Sequence, residues 1–368
     1  MGKKGIDKTF LVIICLLVTF GFLVFISASM SYATSDSINI ARAILMQSAG
    51  LIIGLVGAII VAFYSNTLPL LKKIAPWLFG AALILTALVF TKLGVSLNGG
   101  RRWLDVFGFS FQPAEFLKPA TLIFLAYFYS KKKDRIGEFM YGLLPLLTIL
   151  GVTVGMLALQ PDMDGALTIV ILSLAIYFSA GGKWRDIIIL IVLGVVASVG
   201  VVMWKPYVMD RINVFKNPDK DLQGTGWQVN QSLIAVGSGQ LTGRGFGQSL
   251  QKFRYLPESS SDAIFSVASE EFGFAGSSAI IILFTLFLLR GLRIATKTFD
   301  NFGGLITVGI VILIITQSFL NIGSMIAIMP LSGLPLAFFS KGGTVIVFNL
   351  IEVGLIMNVS RYIKTSKK

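Results

Sequence analysis

The sequence predicts an all-α integral membrane protein with ten transmembrane helices, a long extracellular loop between helices 7 and 8, and both termini in the cytoplasm. Of its 368 residues, 55% are hydrophobic and only 13% are charged, whereas soluble domains average about 25% charged residues. Ten stretches approach the roughly 20 apolar residues that a helix needs to cross a bilayer. Every second connection is short and basic, as cytoplasmic loops are. We therefore treat residues 1–368 as a single polytopic membrane domain.

The ten candidate helices are long apolar runs bounded by polar or Gly-containing turns. In chain order they are Thr9–Met30, Ala43–Phe63, Ile74–Phe90, Pro113–Tyr129, Tyr141–Leu159, Gly165–Ala180, Ile187–Trp204, Phe272–Leu289, Gly303–Leu320 and Thr344–Val359. The sequence shows no convincing repeat, so it gives no support for a transporter built from two symmetric halves.

The orientation follows from the basic residues, because eighteen of the 31 Lys and Arg residues lie in the segments assigned to the cytoplasm. These are Lys3, Lys4, Lys8, Lys72, Lys73, Lys131, Lys132, Lys133, Arg135, Lys183, Arg185, Arg290, Arg293, Lys297, Arg361, Lys364, Lys367 and Lys368. This positive-inside pattern explains most of the net charge of +13, so the charge does not call for a nucleic-acid partner.

The outside face carries one loop that is too long for a connector, at about residues 205–262. Long loops in compact proteins usually carry function. Within this loop, Trp227–Leu241 alternates polar and apolar residues, which is compatible with an interfacial or re-entrant helix. We therefore expect the loop to cover a cavity at the outer surface.

The composition also limits the chemistry, because the chain has no histidine and a single cysteine, Cys15. The usual general base near neutral pH is missing, and no disulfide can form within the chain. Acid–base chemistry therefore falls on the eighteen carboxylates or on lysine. The sequence contains no dedicated set of metal ligands.

Charged residues within spans or at their ends are costly and are therefore candidates for function. Glu115 and Lys118 lie three residues apart on one face of the fourth helix, which predicts an ion pair. That pair would either lock helices together or line a substrate cavity. Asp162 and Asp164 lie at the outer end of the fifth helix, where a solvated turn is the simpler interpretation, above all for Asp164.

Two outside loops contain residues that could bind phosphate. Arg101, Arg102 and Trp103 lie before the fourth helix, and they suit either an anionic-lipid headgroup site or a solvated interfacial anchor. Gly237–Gly247 contains several glycines and Arg244. This composition is typical of turns, although exposed backbone N–H groups beside Arg244 would also suit a pyrophosphate.

Asp262 is the most informative carboxylate, because it lies where the polar outside loop enters the apolar eighth helix. Desolvation at such a boundary raises the pKa of a carboxyl group toward that of a useful base. The preceding run of three serines is also good capping chemistry, so a helix N-cap is the competing interpretation.

These motifs together resemble the SEDS (shape, elongation, division and sporulation) family, the FtsW/RodA class of ten-helix peptidoglycan polymerases. The resemblance covers nearly the whole chain and is carried by Arg102-Trp103-Leu104, Gln112–Lys118, Gln160-Pro161-Asp162, Trp227–Ser232, Gly243-Arg244-Gly245, Tyr255–Gly273 and Pro330–Thr344. The sequence from Gln228 to Gly273 resembles the division branch, FtsW, more than the elongation branch, RodA.

The resemblance implies a glycosyltransferase of the bacterial cytoplasmic membrane that polymerises lipid II at the outer face, in cell division or elongation. It places Asp262 on the essential extracellular aspartate and Glu115 and Lys118 on a polar pair in the central cavity. It places Asp162 on the carboxylate of the Gln-Pro-Asp motif and Trp103 on the tryptophan of the first motif. The predicted substrate-binding residues are Glu115, Lys118, Arg101, Arg102, Trp103, Asp162, Arg244 and Gln228.

The resemblance further implies a class B penicillin-binding protein as partner, beside membrane lipids and lipid II. Its single helix is expected to dock on the eighth and ninth spans, which contain small residues and no charges. A divalent cation, Mg²⁺ or Mn²⁺, could share the charge of the pyrophosphate. The alternatives are a lipid II flippase or other transporter, and a scaffold that only recruits a transpeptidase.

Three departures from the family pattern concern the site. The chain has Ser260-Ser261 where the family usually has His-Thr, Asp164-Gly165 where it usually has Gly-Thr, and Lys341 where it usually has Tyr. The first departure suggests that the histidine is not needed for the chemistry.

Overall fold

In the computed structural model of the chain, the described residues are 5–31, 37–97, 100–106, 109–204, 206–216, 224–253 and 255–363. Of the residues assigned to the cytoplasm, Lys3, Lys4, Lys364, Lys367 and Lys368 fall outside these ranges, as do residues 205, 217–223 and 254 of the predicted long loop.

The described residues form helices over all ten predicted segments and two further helices in the outside loop. The helices are α1 (Lys8–Ser29), α2 (Ser37–Phe63), α3 (Thr67–Leu88), α4 (Pro113–Lys131), α5 (Leu143–Leu159), α6 (Met163–Ser179), α7 (Trp184–Trp204), α8 (Pro206–Lys216), α9 (Thr225–Ser238), α10 (Ile264–Lys297), α11 (Asn301–Met325) and α12 (Gly343–Ser360). Helix α9 coincides with the predicted helix at Trp227–Leu241, whereas α8 was not predicted.

Six of the helices in the described ranges are long and apolar enough to cross a membrane, namely α1, α2, α3, α10, α11 and α12. Helices α5 and α6 are apolar but have only 17 residues each. Helix α4 carries Glu115, Lys118 and Lys131. The chain is thus a multi-pass membrane protein, and the number of ten crossings stays a prediction.

The expectation of an all-α fold is wrong in one place, because the connection between α3 and α4 forms a small antiparallel sheet. Its strands are β1 (Gly94–Leu97), β2 (Gly100–Val106) and β3 (Phe109–Phe111), in the order β1-β2-β3. The connection alternates apolar and polar residues and has an Asn-Gly dipeptide between the first two strands, which is a typical hairpin signal.

Helix α11 lies at the centre of the bundle, where it packs against α4, α6, α9, α10 and α12. Helix α2 packs mainly on α12. Gly54 makes this close approach possible, since a Cβ there would lie 2.7 Å from a side-chain carbon of Leu350.

The chain segments assigned to the cytoplasm meet at one end of the bundle. Arg290 of α10 donates to both carboxylate oxygens of Asp7, the N-cap of α1. Lys72 of α3 pairs with Asp300 at 2.9 Å. A β-bridge joins Thr298 to Ile363 near the carboxyl end of the chain. Both ends of the described chain therefore lie on the same side as the loop after α10.

Candidate active site

Asp262 lies in the segment just before α10, at the end of the bundle opposite to the Asp7–Arg290 pair. Its main chain is fixed by Asn321 of α11, whose side-chain amide donates to the carbonyl oxygens of Asp262 (2.7 Å) and Leu334 (2.8 Å). The hydroxyl of Ser340 donates to the carbonyl oxygen of Ser261 at 2.7 Å. Two separate elements thus hold the backbone that presents the carboxylate.

The structure argues against the N-cap interpretation of Asp262. Helix α10 begins at Ile264, its N-cap position is Ala263, and no side chain caps it. The carboxylate instead accepts a hydrogen bond from the Ser261 hydroxyl at 3.0 Å. The side chain is therefore available for a role other than capping.

The environment of Asp262 raises its pKa to about 6. Burial is the main cause, because it disfavours the charged carboxylate. The Ser261 hydrogen bond opposes this rise, the negative charges of Glu258 and Asp164 add to it, and Arg211 opposes it. Near neutral pH the group is mostly deprotonated and is still basic enough to take up a proton.

Asp164 was expected in a solvated turn, and this expectation is wrong. Its Oδ2 atom accepts two hydrogen bonds, one from Arg211 of α8 at 3.1 Å and one from the backbone N–H of Gly333 at 3.1 Å. A Cβ atom at Gly333 would lie 3.7 Å from Oδ2 of Asp262 and 3.9 Å from Oδ2 of Asp164. The two carboxylates therefore face one small space beside Gly333.

The predicted ion pair on α4 is present and buried. Lys118 Nζ lies 2.7 Å from Glu115 Oε1, and the Lys118 side chain is only 2% exposed. Glu352 of α12, also buried, interacts electrostatically with both residues. Lys118 thus interacts with carboxyl groups from two different helices.

Asp162 caps α6 by accepting a hydrogen bond from the Gly165 N–H at 3.1 Å. It is buried, so the solvated-turn interpretation is wrong for this residue too. Burial raises its pKa, while the charges of Arg102 and Lys118 oppose that rise. The charge of Asp164 also affects Asp162. The start of α6 therefore lies between the groups around Asp262 and those around Lys118.

The residues of the first motif have structural partners. Arg102 donates to the carbonyl oxygens of Gln160 and Pro161, which ties strand β2 to the end of α5. Arg101 is exposed and donates to the carbonyl oxygens of Thr91 and Gly94. Trp103 is half-buried in β2, opposite Val95.

The glycine loop that includes Arg244 agrees with the turn interpretation and not with the alternative of a phosphate cradle. The N–H groups of Gly243, Arg244 and Gly245 donate to the carbonyl oxygens of Gly239, Glu270 and Glu271. The loop packs on the kink of α10, where Gly273 has φ +63 and a Cβ atom would lie 2.3 Å from the nitrogen of Gly243. Its glycines serve close backbone packing instead.

Arg244, which is exposed, pairs with a member of a separate, buried cluster of charges. Its guanidinium lies 3.4 Å from Glu270, and the fully buried Lys252 lies 2.8 Å from Glu271. Lys252 also donates to the Ser27 hydroxyl of α1. This cluster attaches the outside loop to α1 and α10. Gln228 lies half-buried in the first turn of α9.

Sequence reasoning missed Arg211, Glu352, Asn321 and Lys252. Glu352 had a usable signal, because it is a lone carboxylate in an apolar span. Arg211 and Lys252 are basic residues in a polar loop, and their sequence context does not distinguish them from solvated ones. Within the described ranges, no three acidic, Cys or His side chains group as metal ligands.

Comparison with known proteins agrees with this arrangement. A family model of cell cycle proteins, that of FtsW, RodA and SpoVE, matches residues 7–365. The chain is 36% identical to stage V sporulation protein E of Bacillus subtilis over 98% of both chains. It is 34% identical to a probable peptidoglycan glycosyltransferase FtsW of Trichlorobacter lovleyi, over 97% of this chain and 94% of that one.

Two solved structures share the fold over nearly the whole chain. One is a chain from a study of polymerization and crosslinking by a peptidoglycan synthase complex, with a TM-score of 0.79 and 27% identity, covering 97% of this chain and 98% of that one. The other is the rod shape determining protein RodA of Thermus thermophilus, with a TM-score of 0.70 and 26% identity, covering 98% of both chains. The chain therefore belongs to the FtsW/RodA/SpoVE family of cell cycle proteins.

Proposed function

We propose that this protein is a peptidoglycan glycosyltransferase that polymerises lipid II at the outer face of the bacterial cytoplasmic membrane, in cell division or elongation. Relatives named as probable peptidoglycan glycosyltransferases match over almost the whole chain. The observation that carries the proposal is Asp262, a carboxyl group with a pKa of about 6 at the outer end of the bundle. A glycosyl transfer to a hydroxyl needs such a base.

In the proposed reaction, the 4-hydroxyl of the GlcNAc unit of one disaccharide attacks the anomeric carbon of a lipid-linked partner. Asp262 accepts the hydroxyl proton as the new C–O bond forms. The bond between the anomeric carbon and the phosphate oxygen breaks, and undecaprenyl pyrophosphate leaves with the bonding electron pair. The site must therefore offer a base for the hydroxyl proton and positive charge for the pyrophosphate.

The buried polar groups behind Asp262 are proposed to line the substrate cavity. Lys118 and Asp162 are buried and Glu115 is largely buried on neighbouring helices, and such groups are costly unless they serve a function. Arg102 and Trp103 are proposed to lie at its rim, at headgroup depth. The partners of Arg101 and Arg244 weaken their assignment to substrate, since both donate within the protein. Gln228 stays a candidate for substrate binding.

A divalent cation, Mg²⁺ or Mn²⁺, is proposed to arrive with the pyrophosphate. Mg²⁺ commonly binds through one or two carboxylates together with substrate phosphates and keeps several waters. Loss of polymerisation in EDTA and its return with either ion would support this proposal, and activity that is indifferent to EDTA would refute it.

The topology is proposed to have ten membrane crossings with both termini in the cytoplasm. Three contacts at one end of the bundle support it, namely Asp7 with Arg290, Lys72 with Asp300, and Thr298 with Ile363. The basic residues Lys131 and Lys183 belong to connections that the alternation of spans places at this same end. Asp262 then lies outside.

A class B penicillin-binding protein is the proposed partner, with its helix docked on α10. The outer face of α10 carries Phe274 (67% exposed) and Ile282 (56% exposed). The expected contribution of the ninth span is less well supported. Helix α11 is largely buried, and Gly309 packs against Leu122 and Ile176. Its small residues therefore serve packing within the chain.

Polymerisation in detergent tests the function directly. The purified full chain, with lipid II as its sole substrate, is expected to form glycan strands, with and without a class B penicillin-binding protein. Translocation has no meaning in detergent, so glycan formation would exclude a pure flippase and a pure scaffold. No glycan under both conditions would contradict the proposal.

A further inference from the structure

Asp164 is the most informative departure from the family pattern, because it stands where glycine is usual. Its carboxylate does not serve its own helix in the described structure. It binds the guanidinium of Arg211 on α8 and the backbone N–H of Gly333, which belong to two elements distant in sequence. One side chain therefore joins the start of α6 to the outside loop and to the segment before α12.

This junction lies at the candidate active site. Gly333 has no side chain to fill the space between the two carboxylates, and a Cβ atom there would contact both Asp262 and Asp164. Arg211 lies at the same place, and its charge acts on Asp262. Its side chain is 28% exposed and that of Asp164 is 21% exposed. A guanidinium is thus presented to an accessible space beside the base.

We propose that Asp164 is a positioning residue that holds Arg211 beside Asp262, and that Arg211 binds the leaving pyrophosphate there. This inference rests on the proposed function. A guanidinium has five N–H donors in a planar fork, and the structure commits Nη1 to Asp164. The remaining donors suit two phosphate oxygens, and arginine is the residue best suited to such bidentate contact.

A brace that only stabilises the fold explains this arrangement less well. Partly exposed ion pairs contribute little to stability, and placing Asp164 beside Asp262 brings two negative charges together. Arg211 compensates that repulsion in the resting protein. As the bond to the leaving pyrophosphate breaks, negative charge develops on its oxygens, and the same guanidinium can stabilise that charge. An interaction that strengthens in the transition state accelerates the reaction.

The first test compares Arg211→Gln, Asp164→Ala, Asp164→Asn and the double variant Asp164→Ala/Arg211→Gln. Arg211→Gln should lower kcat and kcat/KM for lipid II polymerisation together, by roughly 10²-fold, as the loss of one transition-state donor does. Asp164→Ala should lose a similar amount, and the double variant should lose no more than Arg211→Gln alone. Asp164→Asn keeps an acceptor for Arg211 and should retain most activity.

The pH profile of polymerisation, measured together with kcat and kcat/KM, separates a positioning role of the Asp164–Arg211 pair from a purely structural one. The charged groups that the structure places around Asp262 are Glu258, Asp164 and Arg211. Removing the positive charge with Arg211→Gln should raise the pKa of Asp262, so the acidic limb of the pH–rate profile should move to higher pH. Removing the negative charge with Asp164→Asn should move it to lower pH. A brace would change yield or melting temperature and leave kcat and kcat/KM of the folded variants near those of the unaltered protein; that result, or a pH limb that does not move, would overturn the inference.

A binding measurement judges the inference even if the proposed function fails. Inorganic pyrophosphate, titrated calorimetrically into the detergent-purified full chain, should bind at least tenfold more weakly to Arg211→Gln than to the unaltered protein. The matched control is Arg135→Gln, since Arg135 forms an exposed pair with Glu138 at the other end of the bundle, and its affinity should be unchanged. Equal affinity in all three proteins would overturn the role of Arg211. An unaltered protein that binds pyrophosphate but forms no glycan would instead contradict the proposed function.

Discussion

Replacing Lys118 with Met should destabilise the protein far more than replacing Glu115 with Gln. Lys118 is 2% exposed, lies 2.7 Å from Glu115 and also interacts with the buried Glu352. Removing one partner of a buried ion pair costs about 3–5 kcal/mol, because the other charge is left without compensation. Lys118→Met leaves Glu115 in this state, near the buried Glu352. Glu115→Gln keeps an amide oxygen that can accept a hydrogen bond from Lys118, so its cost should be about 1–3 kcal/mol.

A double-mutant cycle measures this coupling. The free energy of unfolding is followed by SDS titration in mixed micelles for Lys118→Met, Glu115→Gln and the double variant. The double variant should cost at least about 1 kcal/mol less than the two single changes together. The control pair, Arg135→Met and Glu138→Gln, has the same three-residue spacing but is exposed and should show no coupling. Additive costs, or a larger cost for Glu115→Gln, would refute the pairing.

Three further predictions follow from the geometry. The polymerisation rate should fall as the pH drops through about 6, where Asp262 takes up its proton. Glu258→Gln should move this acidic limb of the pH–rate profile to lower pH, because it removes a charge that raises the pKa of Asp262. An unmoved limb would contradict the assignment of Asp262 as the base. Gly273→Ala should lower the melting temperature and the yield, because φ is +63 and the new Cβ would lie 2.3 Å from the nitrogen of Gly243; a variant as stable as the unaltered chain would contradict the kink geometry. A cysteine at Phe274 should crosslink to the helix of a class B penicillin-binding protein, and crosslinks found only on α1 would refute the choice of α10.

Local patterns in the sequence were sufficient for several features of the fold. The ten apolar segments became helices, since apolar runs of this length have few alternatives in a membrane. The Glu115–Lys118 pair followed from helical spacing alone. The hairpin before α4 was not predicted, although its Asn-Gly dipeptide is a local hairpin signal.

Features that depend on distant pairing were not predictable from one sequence. Arg211 and Asp164 are separated by 47 positions, and no local pattern joins them. The burial of Asp162 depends on how the ends of α5 and α6 pack under Arg102. The glycines around Arg244 allowed a phosphate loop as an interpretation. The backbone carbonyls of α10 that accept two of the loop's N–H hydrogen bonds come close only in the folded chain, so one sequence could not exclude it.

The identity of Asp262 as the base is tested most directly by Asp262→Asn. The amide has nearly the same shape and can still accept a hydrogen bond from Ser261, but it cannot take up a proton at neutral pH. Purified Asp262→Asn protein should retain the melting temperature and detergent elution volume of the unaltered chain and form no glycan from lipid II. Polymerisation by the Asn variant at a rate near that of the unaltered protein would contradict the account.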